Sequence, residues 1–257
     1  MKITLLPSSV GTDAAAARQY LTSFIVNETV AIDAGSLGFL RSWEEQARLK
    51  HIFLSHSHMD HVASLPLLLE NVYEQGEHSV TVHGSSCVLD CLSRDMFNDR
   101  IWPDFIGLSR PEDPFLRVSR LEPRQPVEVE NLRITPVPVD HTVPTLGFVI
   151  EDSAGSVVIV GDTGPTEEIW QVANALPRLR AVFLETSFPD ALKQLAVISR
   201  HLTPATFARE LQKLKQPVPV YVVHIKSRYY DAVTRELAAL RLPNVIIAQS
   251  GVPYCFE

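Results

Sequence analysis

Four β-branched runs in this chain each end on a histidine or an aspartate, and that recurrence constrains the fold more than any other feature. His51-Ile52-Phe53-Leu54 leads into His56-Ser57-His58-Met59-Asp60-His61. Leu132 to Val139 leads into Asp140-His141, Val157 to Val160 into Gly161-Asp162-Thr163, and Val218 to Val223 into His224. Each of these polar side chains therefore falls at the carboxyl end of a strand, where a rigid scaffold can present chemistry on a loop.

The run from His56 to His61 places four metal-capable side chains in six residues. Imidazole is neutral enough near pH 7 to offer a lone pair, and a carboxylate among imidazoles adds charge and the option of bridging, a composition suited to zinc or a similar transition ion. The bland alternative is a crowded polar loop, which is hard to satisfy once partly buried. A lone His or Asp after a strand is usually a turn residue. Four such sites, in order and opened by a His-x-His-x-Asp-His run, read as a ligand set.

In these motifs the chain resembles the metallo-β-lactamase superfamily. The resemblance implies an α/β fold, a four-layer αββα sandwich, and a binuclear site. His56, His58 and His141 would hold one metal, Asp60, His61 and His224 the second, and Asp162 would bridge them. Many β-lactamases of the superfamily carry Cys at the position matching Asp162, so the carboxylate points toward phosphoesterases. Asn98 to Phe105, His201-Leu202-Thr203-Pro204 and Val223-His224-Ile225-Lys226 further resemble segments of the class II 3′,5′-cyclic nucleotide phosphodiesterases. That resemblance implies hydrolysis of cyclic AMP, with cyclic GMP as a second candidate, to the 5′-nucleotide through a bridging hydroxide. Two divalent ions are expected, zinc first, with iron and manganese as alternatives.

Phosphodiester hydrolysis needs a nucleophile, stabilisation of phosphoryl charge and a proton for the leaving alkoxide. His201 is the candidate acid, a histidine functional in related phosphodiesterases and in tRNase Z; the alternative is that it caps or packs. Asp60 is a candidate base besides being a ligand. Asp33 and Glu185 each read either as partners orienting a ligand histidine or as plain turn and strand-end residues. Asn98, Trp102 and Phe105 either meet a nucleobase or pack, and Lys226 and Arg228 either meet a phosphate or remain solvated. His51, His78 and His83 show no ligand pattern.

The chain has 257 residues, 46% of them hydrophobic, enough for one α/β hydrolase domain over 1–257. A formal charge of −7 disfavours broad attachment to nucleic acid or anionic lipid. A small-molecule cyclic nucleotide is the expected partner, and a homodimer is compatible with the sequence. A tRNase Z-like nuclease is the alternative, followed by a non-catalytic metal-binding module. Ile3 to Leu6 is too short for a signal-peptide core and no run of about 18 apolar residues occurs, so the expected location is the cytoplasm. Three cysteines provide no disulfide framework. Strands are expected near 2–6, 22–32, 51–55, 79–83, 127–139, 146–151, 155–161, 180–185, 218–223 and 244–248. Helices are expected near 61–74, 85–97, 165–175, 204–214 and 229–240, with residues 98–126 irregular and a candidate cap over the substrate.

Overall fold

The computed structural model describes residues 1–8, 18–40, 42–73 and 79–257; His78 and the end of the expected 61–74 helix lie outside them. Among these residues fourteen strands form two seven-stranded sheets. The first sheet holds β1 (Lys2–Leu5), β2 (Phe24–Val26), β3 (Val30–Ile32), β4 (His51–Phe53), β5 (Val80–Gly84) and β6 (Leu116–Arg120). The second holds β7 (Val127–Val129), β8 (Leu132–Val139), β9 (Thr145–Glu151), β10 (Ser156–Ile159), β11 (Leu179–Glu185), β12 (Val220–Val223) and β13 (Val245–Ile247). The last strand, β14 (Pro253–Cys255), returns to pair with β1 at the edge of the first sheet.

Side-chain alternation along the central strands creates the layers. In β11 Ala181 and Phe183 join a core between the sheets, whereas Val182 and Leu184 join a separate core under the outer helices. Phe53 in β4 points inward, and Ile52 beside it points to the helices covering the first sheet. Strands apolar on both faces need cover on both sides. The inner core contains Phe24, Phe53, Phe148 and Phe183. Leu65 and Leu68 cover one outer face, and Trp170, Phe207 and Leu237 the other. This is the four-layer αββα order.

Strand direction determines where the chemistry lies. β3, β4 and β5 are mutually parallel, as are β10, β11 and β12, and β8 shares the direction of β10 because both run antiparallel to β9. The loops after β4, β8, β10 and β12 carry all seven expected ligands. They leave the carboxyl ends of their strands, where parallel sheets place binding sites.

Several boundaries differ from expectation. The 22–32 strand is a hairpin turning at Asn27-Glu28 (φ 48° and 70°), and 127–139 is another turning at Glu130-Asn131 (φ 49° and 63°). The helix expected from 61 splits into Met59–Val62 and Leu65–Asn71. Ser64 causes the break: its N and Oγ both donate to Ala34 O, at 3.0 and 2.8 Å, and Pro66 opens the next helix. Residues 98–126 are partly regular, with a helix at Phe105–Leu108 and β6 paired in parallel to β5. The expected cap is therefore in part a sheet edge. Thr203 caps the helix Pro204–Leu211 through a reciprocal capping box with Thr206. No helix among the described residues is long and apolar enough to cross a membrane.

Candidate metal centre

His56 and His58 lie in the loop after β4, and His58 is the cap residue of the helix that carries Asp60 and His61. This loop is clamped by backbone bonds from Thr22 N to Asp60 O (2.8 Å) and from Ala34 N to His61 O (2.6 Å). Gly35 permits that approach, because a Cβ there would collide with Asp60 O and lie 2.7 Å from Thr22 N. Gly161 (φ 75°) turns the chain between β10 and Asp162. Asp33 and His224 adopt left-handed φ of 61° and 56°, a costly conformation for residues other than glycine and one that clusters at functional sites.

Donor atoms of His56, His58 and His141 lie within 4.8 Å of one another, as do those of Asp60, His61, Asp162 and His224. Asp162 Oδ2 is 3.3 Å from His61 Nε2, 3.1 Å from His224 Nε2 and 4.0 Å from His56 Nε2. His224 Nε2 is 3.6 Å from Asp60 Oδ2. A tetrahedral ion with bonds of 2.0–2.1 Å separates its donors by roughly 3.3 Å, so the second group is spaced for one. A third group joins His201 to His141 and Asp162.

Four of the five histidines in these two groups are set from behind. His56 Nδ1 meets Ser55 Oγ at 2.9 Å, His61 Nδ1 meets Asp33 Oδ2 at 2.7 Å, His141 Nδ1 donates to Arg200 O at 3.0 Å, and His224 Nδ1 meets Thr22 Oγ1 at 2.9 Å. Such partners fix the tautomer and leave Nε2 with its lone pair toward the centre. In His58 it is Nδ1 that faces His141 Nε2, at 3.2 Å. His56 Nε2 and His61 Nε2 are buried and have no aligned hydrogen-bond partner. Orphaned buried imidazole nitrogens among carboxylates are costly unless an ion fills the gap, so this donor set fits a metal.

Electrostatics divide the two groups. Burial, reinforced by neighbouring imidazoles, holds His56 well below the usual histidine range, and burial also lowers His58 and His141, keeping them neutral as ligands must be. Burial acts the same way on His61, but Asp162 and Asp33 on its two sides outweigh it and raise it well above that range. Burial raises Asp162, yet His224 and His61 prevail and hold it well below the carboxylate range.

His201 lies beside the donors, its ring 5.0 Å from that of His141 and 5.6 Å from that of His224. Its Nδ1 is 2.5 Å from Glu185 Oε1. Glu185, fully buried at the end of β11, also accepts from Thr163 N and Leu202 N at 3.2 and 3.3 Å. Burial lowers His201, and Glu185 overcomes it to raise the histidine above its ordinary value. Glu185 thus partners His201, whereas Asp33 partners His61, one of the expected ligands.

Other expected residues are placed differently. Asn98 Oδ1 accepts from Arg100 N and Ile101 N at 3.0 and 2.9 Å, and its Nδ2 donates to Arg94 O, so its side chain serves the local turn. Trp102 and Phe105 pack against the outer core of the first sheet. Phe105 also lines a cavity of about 520 Å³ with Tyr73, Leu108, Arg110 and Phe115, and none of the seven expected ligands lines it. Arg228 lies over the Tyr229 ring. Lys226, by contrast, reaches the donors themselves: Nζ is 3.1 Å from Asp60 Oδ2 and 2.8 Å from His224 Nε2. Thr22, Ser55 and the Arg200 carbonyl carried no signal in the sequence.

A family model described as a beta-lactamase superfamily domain matches residues 30–225, and the chain belongs to that superfamily. A probable 3′,5′-cyclic-nucleotide phosphodiesterase of Yersinia pestis is 23% identical, over 86% of this chain and 78% of the relative. The 3′,5′-cyclic-nucleotide phosphodiesterase 1 of Saccharomyces cerevisiae is 25% identical over 73% of this chain and 59% of its own length, so the chain spans little more than half of that relative. A ribonuclease Z of Shouchella clausii is 26% identical, over 82% of this chain and 80% of the relative. Unliganded yeast PDE1 shares the fold with a TM-score of 0.77 at 19% identity, covering 98% of each chain.

Proposed function

We propose that residues 1–257 form one metal-dependent phosphodiesterase unit that hydrolyses 3′,5′-cyclic nucleotides to 5′-nucleotides at a centre for two divalent ions. The supporting observation is the position of Asp162 Oδ2 within 4.0 Å of a nitrogen from each donor group. His56, His58 and His141 would hold one ion, Asp60, His61 and His224 the other, and Asp162 both. Zinc is the expected ion, with iron and manganese as alternatives. Bound there, such ions supply Lewis-acid polarisation of a phosphoryl group and an acidified water.

The chain itself supplies orientation and proton transfer. Glu185 holds His201 Nδ1, which leaves Nε2 to carry a proton to the 3′ oxygen as its bond to phosphorus breaks. The 5′ ester bond is retained. Asp60, a quarter exposed, would accept a proton from the attacking water.

The similarity to ribonuclease Z supports a second reading as an RNA-processing nuclease, against which stands the net charge of −7. Turnover of cyclic AMP, cyclic GMP and precursor tRNA by the metal-loaded protein separates the two. Cyclic nucleotide hydrolysis is expected; cleavage of precursor tRNA alone would replace the first reading by the second.

A further inference from the structure

We infer that Lys226 is a built-in cation guarding the second donor set, so that an ion enters there only by displacing it. The inference rests on the proposed reading of Asp60, His61, Asp162 and His224 as ion ligands. His224 adopts a left-handed φ of 56°, which turns the chain sharply at the end of β12, and Lys226 two residues on folds back over the imidazole. The lysine side chain is one-third exposed, with its ammonium at the rim of the site.

The competition follows from counting lone pairs. His224 Nδ1 is engaged by Thr22 Oγ1, so Nε2 keeps one lone pair directed at the centre. A single lone pair serves one partner, and here it meets a Lys226 N–H at 2.8 Å. The same ammonium takes Asp60 Oδ2 at 3.1 Å. Among the described residues Asp60 is its only ion-pair partner, so Nζ covers the Asp60–His224 side of the set and Asp162 keeps His61 on the other side. A dication bound to both atoms would break the hydrogen bond to His224 and face the ammonium at short range, where like charges repel. Among the described residues no lysine or arginine donates to a ring nitrogen of His56, His58 or His141. The second position therefore fills after the first and more weakly.

The test is zinc titration of chelator-stripped wild-type protein, Lys226→Met and Lys226→Arg against a competing chromophoric chelator, with thermal unfolding of each as a folding control. Methionine keeps the stem and removes the ammonium, whereas arginine keeps the charge and the donors. In wild type the second zinc is expected to bind more weakly than the first. Lys226→Met should tighten the second site by roughly 10- to 100-fold, the range for one displaced charge-assisted hydrogen bond, and leave the first unmoved. Lys226→Arg should keep the second site weak. A wild type that takes one zinc while Lys226→Met takes two would support the guard in its strongest form. Two zincs with the second affinity unchanged in Lys226→Met would overturn the guard and leave the two-ion reading standing. One zinc in all three proteins would overturn both.

Discussion

At His201 one hydrogen bond decides which nitrogen faces the chemistry. With Nδ1 tied to Glu185, Nε2 is the atom that would deliver a proton in the proposed reaction, to an extent set by how badly the leaving group needs one. His201→Ala should lower turnover of cyclic AMP by roughly 10² to 10⁴, the usual contribution of general acid catalysis. The loss should be far smaller for bis(p-nitrophenyl) phosphate, whose p-nitrophenolate departs without protonation. Equal losses on the two substrates, with metal content intact, would remove the assignment. A second histidine acts on stability. His83 is stacked on Phe53 with ring centroids 4.2 Å apart, and burial pushes it down to about 4. Between that value and about 6.5 the unfolded chain binds the proton and the folded protein does not. Its contribution to stability is complete above about pH 6.5 and lost as pH falls toward 4. At 1.36 kcal/mol per tenfold change in proton affinity, the loss reaches about 3 kcal/mol. Denaturant melts at pH 7.5 and 4.5 should show a larger acid loss for wild type than for His83→Phe, which keeps the stacking; parallel losses would exclude the histidine.

At the scale of elements, the loop after β4 depends on contact with the Thr22 and Ala34 backbones, and Gly35 makes that contact possible. In Gly35→Ala the added methyl meets Asp60 O and both Thr22 backbone atoms, and backbone on each side cannot yield cheaply. A destabilisation of roughly 1–3 kcal/mol is expected, together with loss of metal in dialysis, because Asp60 and His61 move with their loop. Unchanged metal retention would show that the loop tolerates the shift. The same long-range docking explains what the sequence concealed. Donors were legible because their chemistry is rare and each sits at the end of a β-branched run. Thr22 Oγ1 supports His224 across 202 residues of chain, and no local pattern marks such a partner. The hairpins at Asn27-Glu28 and Glu130-Asn131 were hidden for a different reason: their left-handed turns lack the glycine that normally announces them. In β6 only Leu116 is fully buried, so this edge strand lacks the alternation that reveals a strand between two layers.

For the whole molecule, the donors bridge the halves of the sandwich: His56 to His61 follow a strand of the first sheet, and His141, Asp162 and His224 follow strands of the second. Ions held at the proposed centre by donors from both sheets would stabilise their docking. At free metal 100 times the dissociation constant this is worth about 2.7 kcal/mol, or roughly 5–10 °C in melting temperature for a chain of this size. Chelation should lower the melting temperature by that amount and readdition of zinc should restore it; an unchanged melt would mean that the donors do not hold the sheets together. The order of the donors along the chain also acts during translation. His56 to His61 leave the ribosome early, whereas His224 emerges only with β12, so a nascent chain carries six of the seven donors before its second set can close. A ribosome stalled ahead of β12 would thus expose loose histidines and carboxylates, and the second set could take its proposed ion only in a chain whose second sheet has reached that strand.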